Sequence, residues 1–437
     1  MSTGSATIAP GAGADAAMAI EKRAFAKIAW RLLPLLIVAY IANFLDRTNV
    51  GFAALTMNKD VGLSATELGY GAGILFLGYC FFEVPSNIAL YRFGARIWLS
   101  RIMVTWGLIS MAMMFTTGPK SFYVLRFLLG VAEAGFFPGV AFYLAQWFPA
   151  QYRARILAWF LFGIPASALI GGPVSSLLLE LNGVAGLAGW QWLFLVEGAP
   201  AVIIGILLII FVTDTPEQAA WLTAEEKAIV RARITAEPKE RERRDLWGSL
   251  KDPRVLILAA VQFCFLVGAY GVGIFLPLIL KGQNFSNFTV GFLTAIPNLI
   301  ACVGMILWAG ATDRSGGRIN GLALTCIVSG VGLGLAVLFS SWFLIAFAGL
   351  TAAVLGTSTA RAIFWSIPTR FLSGIGAAGG LAFINSIGTI GGFVGPSLMG
   401  YLKDATGSFN AGLAGLSAFL FVSVALTYSL RFFIQRE

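Results

Sequence analysis

Twelve runs of roughly 20 apolar residues divide this chain, and each is long enough to cross the ~30 Å hydrocarbon core of a bilayer as one α-helix. The composition agrees, because 58% of the 437 residues are hydrophobic and only 12% are charged, whereas soluble domains carry about 25% charge. We therefore predict an all-α membrane protein with twelve transmembrane helices. The runs lie near residues 32–56, 69–91, 97–116, 121–146, 155–178, 191–213, 255–280, 289–312, 318–339, 342–368, 375–401 and 411–431.

The twelve runs form two groups of six, separated by the only long polar segment, 214–254, which holds nine basic and nine acidic residues. A faint repeat supports two halves: Gly171-Gly172-Pro173 in the fifth run matches Gly395-Pro396 in the eleventh. Parallel repeats of this kind build one large class of secondary transporters. The expected organisation is a disordered N-terminal tail, a six-helix half, a linker, a second half and a short tail, at residues 1–30, 31–213, 214–254, 255–432 and 433–437.

Basic residues set the expected orientation. With the N-terminus inside, the inner tails, loops and inner ends of spans hold 23 of the 30 lysines and arginines, and three lie deeper within spans. The outer loops hold four: Lys59, Lys120, Lys281 and Lys403. The positive-inside rule then predicts a multi-pass plasma-membrane protein with both termini cytoplasmic.

Several function classes find no support in the sequence. Four cysteines are scattered through apolar runs without CxxC spacing, so they are interpreted as packing residues. There is no Walker motif, HExxH, GxSxG or ligand-spaced Cys/His set, so an enzyme, a metal site and a cofactor are not predicted. The basic residues flank apolar runs and do not form a nucleic-acid patch. The expected partners are a small solute and the lipid bilayer, and a monomer is expected.

The charged residues inside apolar runs include two pairs: Asp46 and Arg47 in the first run, and Arg126 and Glu133 in the fourth. A charge at membrane depth costs several kcal/mol by most scales, so such residues are usually functional. Asp46 and Arg47 are adjacent and point about 100° apart on a helix, so each needs a partner from another helix. The alternative to a functional role is that these four residues form a structural salt-bridge cluster. Because the chain has no histidine, any proton carried near neutral pH must be bound by a carboxylate.

Polar residues in two further spans are candidates for the same site. Tyr79, Glu83 and Asn87 recur every four residues in span two, and Tyr79 falls at the depth of Arg47. A role for Glu83 in helix packing or gating is favoured over substrate contact. Asn385 in span eleven is either a substrate ligand or a hydrogen-bonding residue between helices.

Span ten supplies the remaining candidates. Arg361 either snorkels to the cytoplasmic interface or provides a second positive group for a dianion. Trp365 and Ser366 follow it and could line the site, although aromatic residues in spans are usually packing residues.

One loop between spans eight and nine is similar to a known family signature. Its sequence DRSGGR, with Asp313, Arg314 and Arg318, resembles the DRxGxR loop of the major facilitator superfamily, with Ala309 where a glycine usually precedes it. Further segments narrow the resemblance to the anion:cation symporter branch, with its bacterial tartrate, phthalate and hydroxyphenylacetate permeases and hexonate transporters. These segments are FLDRTN (44–49), FEVPSN (82–87), 126–139, YLAQWFP (143–149), GWQWLF (189–194), WLT (221–223) and 385–407.

The resemblance implies a major facilitator fold in a bacterial inner membrane and proton-coupled import of a small organic anion. By likeness, Asp46 and Glu133 match proton-carrying acids, and Arg126 matches their partner. Arg47, Tyr79 and Asn385 match substrate ligands. Where hexonate carriers have a tyrosine three residues before the span-one arginine, this chain has Phe44, which disfavours a heavily hydroxylated sugar acid.

The sequence therefore predicts a proton-coupled symporter that imports a carboxylate by alternating access, with no cofactor. Arg47, Tyr79, Arg126, Asn385, Trp365 and Ser366 are the predicted substrate contacts, and Asp46 and Glu133 the proton carriers. Glu83, Asp313, Arg314 and Arg318 are predicted gating or structural residues. The rivals are a drug/proton antiporter of the same fold and a sodium-coupled organic anion symporter.

Overall fold

The computed structural model describes residues 10–236, 251–368 and 374–434, and the fold it contains is helical. Within these ranges twelve helical stretches are long and apolar enough to cross a membrane, so the predicted number of spans is confirmed. Spans four and five each consist of two consecutive helices. The helices are α1 Pro10–Val61, α2 Ala65–Phe93, α3 Ala95–Ala112, α4 Pro119–Glu133, α5 Phe136–Trp147, α6 Ala150–Leu161, α7 Gly163–Leu179, α8 Gly189–Phe211, α9 Ala224–Thr235, α10 Pro253–Lys281, α11 Asn287–Ser315, α12 Arg318–Leu338, α13 Phe343–Phe364, α14 Gly374–Thr406, α15 Phe409–Ser429 and α16 Arg431–Ile434.

The N-terminal segment differs from the prediction of a disordered tail. Helix α1 begins at Pro10 and continues without interruption into the first span. Alanine-rich sequence favours helix, and two polar contacts anchor this extension: Arg233 Nη2 donates to Glu21 Oε2 at 2.7 Å and Lys27 Nζ donates to Glu226 Oε2 at 3.0 Å. The tail prediction was therefore wrong for residues 10–30, while residues 1–9 lie outside the described ranges.

The two halves meet through three helix pairs, α2 with α14, α1 with α10, and α7 with α11. Glycines allow the closest approaches, because a β carbon at Gly69, Gly51 or Gly172 would collide with the backbone of the facing helix. These approaches lie toward the end of the bundle opposite the termini. At that end the Thr66 amide donates to Asp404 Oδ2 at 2.7 Å. The two halves are thus joined at the end opposite the termini.

The matching Gly-Pro segments lie at equivalent places in this interface. Gly172 of span five packs against Gly291 of span eight, and Pro396 of span eleven packs against Gly69 of span two. Spans five and eleven, and likewise spans two and eight, differ by six in their order along the chain. The structure therefore gives the faint sequence repeat a physical meaning: both copies form the close helix packing between the halves.

The linker between the halves is partly structured. Helix α9 lies within the predicted linker and docks on the start of α1, while residues 237–250 lie outside the described ranges. Thr223 caps α9 and forms a reciprocal capping box with Glu226, which is almost fully buried. Trp221 stacks on Trp147 at 5.7 Å between ring centroids. The Thr223 backbone amide, followed by the Lys27 ammonium, holds the pKa of Glu226 below its usual value.

This lowered pKa leads to a stability prediction. A carboxyl whose pKa is lowered by folding stabilises the fold above its unfolded pKa, and this contribution is lost as the pH falls through the folded value. We expect Glu226→Gln to destabilise the protein by at most about 1 kcal/mol at pH 7, because glutamine keeps the cap but removes the charge. The difference in thermal unfolding temperature between the wild type and Glu226→Gln should vanish well below pH ~4.3. Glu225→Gln changes an exposed neighbour and is the matched control. An equal loss of stability in both variants would contradict the stabilising role of the Glu226 charge.

Candidate functional site

A break in span four positions the first acid of the site. Helix α4 ends at Glu133, and the chain turns through Ala134 (ψ 132°) and Gly135 (φ 84°) before α5 begins at Phe136. Gly135 is in the left-handed region, where a β carbon is disfavoured, and a β carbon there would also collide with Ser86. The break leaves Glu133 at a helix end in the middle of the span. Interrupted helices of this kind form the binding sites of many transporters.

Arg47 of α1 and Glu133 form a buried ion pair. Arg47 Nε donates to Glu133 Oε2 at 2.7 Å, and the arginine side chain is 12% exposed while the glutamate is fully buried. Glu133 Oε1 has no hydrogen-bond donor within the described ranges. Within the described part of the chain this is the one hydrogen bond of Arg47. The two terminal guanidinium nitrogens are therefore available to a further acceptor.

Aromatic rings surround the Arg47 guanidinium. Its Cζ lies 4.9 Å from the ring centroid of Tyr79 and 5.5 Å from that of Phe44. These contacts confirm that Tyr79 and Arg47 lie at the same depth. They also orient the guanidinium through cation–π attraction.

Asp46 faces away from this pair, as the adjacent positions on a helix require. Its Oδ2 accepts a 2.6 Å hydrogen bond from Trp106 Nε1, and its Oδ1 accepts one of 2.5 Å from Ser110 Oγ. Asn49 Nδ2 donates to the same Oδ1 at 3.4 Å. Trp106 and Ser110 of α3 were not predicted from the sequence. Their signal is weak, since an indole N–H and one hydroxyl in an apolar span are common.

Arg126 does not pair with either acid. It is fully buried, and its guanidinium donates to three backbone carbonyl oxygens, those of Gly71, Ala72 and Asp46, each at 3.4 Å. The expected ion pair between Arg126 and an acid is absent among the described residues. The Asp46 carboxylate instead accepts hydrogen bonds from α3, and Glu133 pairs with Arg47. In this conformation Arg126 has no surface that a bound solute could reach.

A polar contact joins the two halves near the site. Asn385 Nδ2 of α14 donates to Glu83 Oε1 of α2 at 3.4 Å, and one turn earlier Cys80 Sγ contacts the Ser386 carbonyl oxygen at 3.9 Å. The structure thus brings Glu83 and Asn385 together. Glu83 was expected to act in helix packing or gating, and Asn385 was expected to be a substrate ligand or to form a hydrogen bond between helices.

Arg361 points toward the interface between the halves. Its Cζ lies 5.5 Å from the ring centroid of Tyr270 in α10, and Tyr270 in turn lies 4.4 Å from Phe76 of α2. Of the two alternatives, this position favours a second cation near the site over snorkelling to the membrane surface. Tyr270 was not identified from the sequence, since one tyrosine in an apolar run carries no distinguishing pattern.

Trp365 and Ser366 form a turn after α13. The Ser366 hydroxyl donates to Ile363 O at 2.6 Å, and its carbonyl accepts from Arg318 Nη1 at 3.2 Å. That Trp365 and Ser366 line the site stays a prediction. The contact ties the α11–α12 loop to this turn, which suits the structural role expected of Arg318. Arg314 is exposed, and the side chain of Asp313 lies outside what the structure describes.

A bundle of twelve spans in two repeated halves, with buried charges at their interface, defines a polytopic membrane transporter. Comparison with known proteins agrees: residues 36–396 match the Major Facilitator Superfamily, and the chain belongs to this family. It is 48% identical over 410 residues to a protein of Agrobacterium vitis provisionally named a tartrate transporter, covering 93% of this chain and 91% of that one. It is 40% identical to a quinolone resistance transporter of Acinetobacter baumannii, covering 96% and 98%.

The fold is also found among solved structures. A bacterial homologue of the human lysosomal transporter Spinster, in an inward-facing and unoccupied conformation, superposes with a TM-score of 0.76 and 16% identity, covering 92% of this chain and 96% of that one. At this identity the likeness concerns the fold alone.

Proposed function

We propose that this protein is a proton-coupled symporter that imports a small organic acid anion. The observation that carries the proposal is the buried Arg47–Glu133 pair, in which Arg47 uses only Nε and keeps two nitrogens for a ligand. Arginine suits this task because it remains charged and binds carboxylates in a bidentate manner.

Coupling follows from competition for Arg47. In the unloaded state the Glu133 carboxylate neutralises the guanidinium. Protonation of Glu133 Oε1, the oxygen without a donor, removes the negative charge and leaves Arg47 with a net positive field for the substrate carboxylate. Loss of that proton on the opposite side restores the ion pair and displaces the anion. Transport of the anion and of the proton are thereby linked.

The substrate class follows from two cations on opposite halves. Arg47 belongs to the first half and Arg361 to the second, and Tyr270, which contacts Arg361, also packs against Phe76 of the first half. An acid with two carboxylates, such as the tartrate in the name of the Agrobacterium vitis relative, can contact both. The absence of a hydroxyl at Phe44 agrees with a less hydroxylated cargo than a hexonate.

Alternating access is the transport mode we infer. With both termini placed in the cytoplasm by the basic residues, the joined end of the bundle faces outward. The conformation then corresponds to an inward-facing state. The Glu83–Asn385 contact joins the two halves, so it depends on the distance between them.

A drug/proton antiporter is the main rival, and the quinolone resistance relative favours it. Such a carrier also needs carboxylates within its spans. Two arginines at the interface disfavour a cationic drug but accept any carboxylate. Sodium-coupled symport is the second rival, since a carboxylate can bind Na⁺ instead of a proton.

Transport in proteoliposomes tests the proposal. We expect radiolabelled tartrate or a related dicarboxylate to accumulate when the outside is acidic, and a protonophore to abolish the accumulation. A panel of tartrate, hexonates, phthalate, hydroxyphenylacetate and one quinolone should be compared at fixed membrane potential. Uptake that depends on sodium and ignores the pH gradient would favour sodium coupling. Proton-driven movement of the quinolone in the opposite direction would favour the antiporter.

A further inference from the structure

A third carboxyl lies buried in the first half, and the transport cycle described above does not use it. Glu197 of α8 is 4% exposed, and its Oε1 accepts a 2.6 Å hydrogen bond from Ser175 Oγ of α7. Its Oε2 has no hydrogen-bond donor among the residues that the structure describes. An ionised carboxylate with one neutral donor in such a place is costly, so the geometry favours a carboxylic acid whose proton is on Oε2.

Asn49 connects this acid to Asp46. The Asn49 amide lies beside the Glu197 carboxyl, while its Nδ2 donates to Asp46 Oδ1. Among the described residues, Asn49 Oδ1 and Glu197 Oε2 are both buried without a hydrogen-bond donor, so this cluster holds two unsatisfied acceptors.

The groups around Glu197 leave Asp46 as its titratable neighbour. Helix α1 contributes Asp46 and Asn49, and α7 contributes Ser175. The packed face of α3 contributes Met111 and the Gly107 backbone next to Gly198. No basic side chain among the described residues compensates Glu197. A negative charge on both acids would therefore be repulsive, and their titrations are expected to be linked.

We propose that Glu197 carries one of the transported protons. While Asp46 is ionised and accepts from Trp106, Ser110 and Asn49, Glu197 keeps its proton on Oε2. When the halves rearrange, the O–H bond of Glu197 breaks, the proton passes to a water molecule to form hydronium, and Glu197 becomes the carboxylate. This inference rests on the proposed proton symport and adds a third acid to its proton balance.

The number of protons moved per tartrate molecule tests the assignment. In proteoliposomes the pH gradient that exactly opposes a fixed tartrate gradient gives this ratio. We expect Glu197→Gln to lower the ratio by one while tartrate exchange continues, since glutamine mimics the protonated acid. Glu180→Gln, at an exposed acid on the preceding helix end, is the matched control and should keep the wild-type ratio.

Infrared spectroscopy of the purified, substrate-free protein provides a second measurement that needs no transport. A carboxylic-acid C=O band present in the wild type at neutral pH should be missing in Glu197→Gln and retained in Glu180→Gln. An unchanged ratio together with an unchanged band would show that Glu197 is not a proton carrier. Wild-type protein without any proton coupling would instead contradict the proposed function itself.

Discussion

Replacement of Arg47 by lysine should weaken tartrate binding about 10- to 100-fold, because hydrogen bonds to charged groups contribute ~1.5–3 kcal/mol. An ammonium can still pair with Glu133 but cannot simultaneously present two parallel N–H groups to a carboxylate. It also loses the planar stacking on Tyr79, whose ring centroid lies 4.9 Å from Arg47 Cζ. Isothermal titration of purified protein gives the affinity directly.

The matched control is Arg92→Lys, which makes the same change at an exposed position on α2 and should leave affinity unchanged. Near wild-type affinity in Arg47→Lys would remove Arg47 from the substrate site. A loss of folding can be recognised by a shifted size-exclusion profile, and in that case Tyr79→Phe measures the same subsite, with a smaller expected loss.

Neutralising the acids should abolish proton-driven accumulation. In Glu133→Gln the amide imitates the protonated glutamate and leaves Arg47 free, so tartrate should still exchange across the membrane while uphill accumulation disappears. In Asp46→Asn one amide N–H must face either the Trp106 indole N–H or the Ser110 hydroxyl, which now donate at 2.6 and 2.5 Å. We therefore expect the weaker exchange in Asp46→Asn.

Counterflow and gradient-driven uptake in the same proteoliposomes separate these activities. Glu67→Gln changes an acid at the first turn of α2, away from the ion pair, and should accumulate tartrate like the wild type. If Glu133→Gln and Asp46→Asn both concentrate tartrate normally, coupling does not depend on these acids.

The pairing of the buried charges could not have been read from the chain. Helical periodicity places Asp46 and Arg47 about 100° apart, and the structure agrees. The partners of the charges are a tertiary property, because they depend on which helices face α1 at that depth. Arg126, two turns from Glu133 on the same helix, was expected to hold an acid and instead donates to backbone carbonyls.

Glu197 shows the same limit. Glu197 is a single acid in the sixth span, and from the sequence it cannot be distinguished from an isolated residue that only packs. Only the approach of α8 to α1 and α7 places it beside Asn49 and Ser175. The break after Glu133 is similar, since Gly135 is one of 51 glycines, and only the structure shows its left-handed conformation and the close approach of Ser86.

The sequence by itself determined the number of spans and their order in two groups of six on either side of the linker. This follows from a local property, since about 20 apolar residues cross a bilayer whatever surrounds them. The tertiary structure alone decided that Arg47 pairs with Glu133 and that Asp46 accepts from Trp106. Hydrogen bonds and ion pairs require distances of a few ångströms between helices far apart in the chain, and helix packing sets those distances.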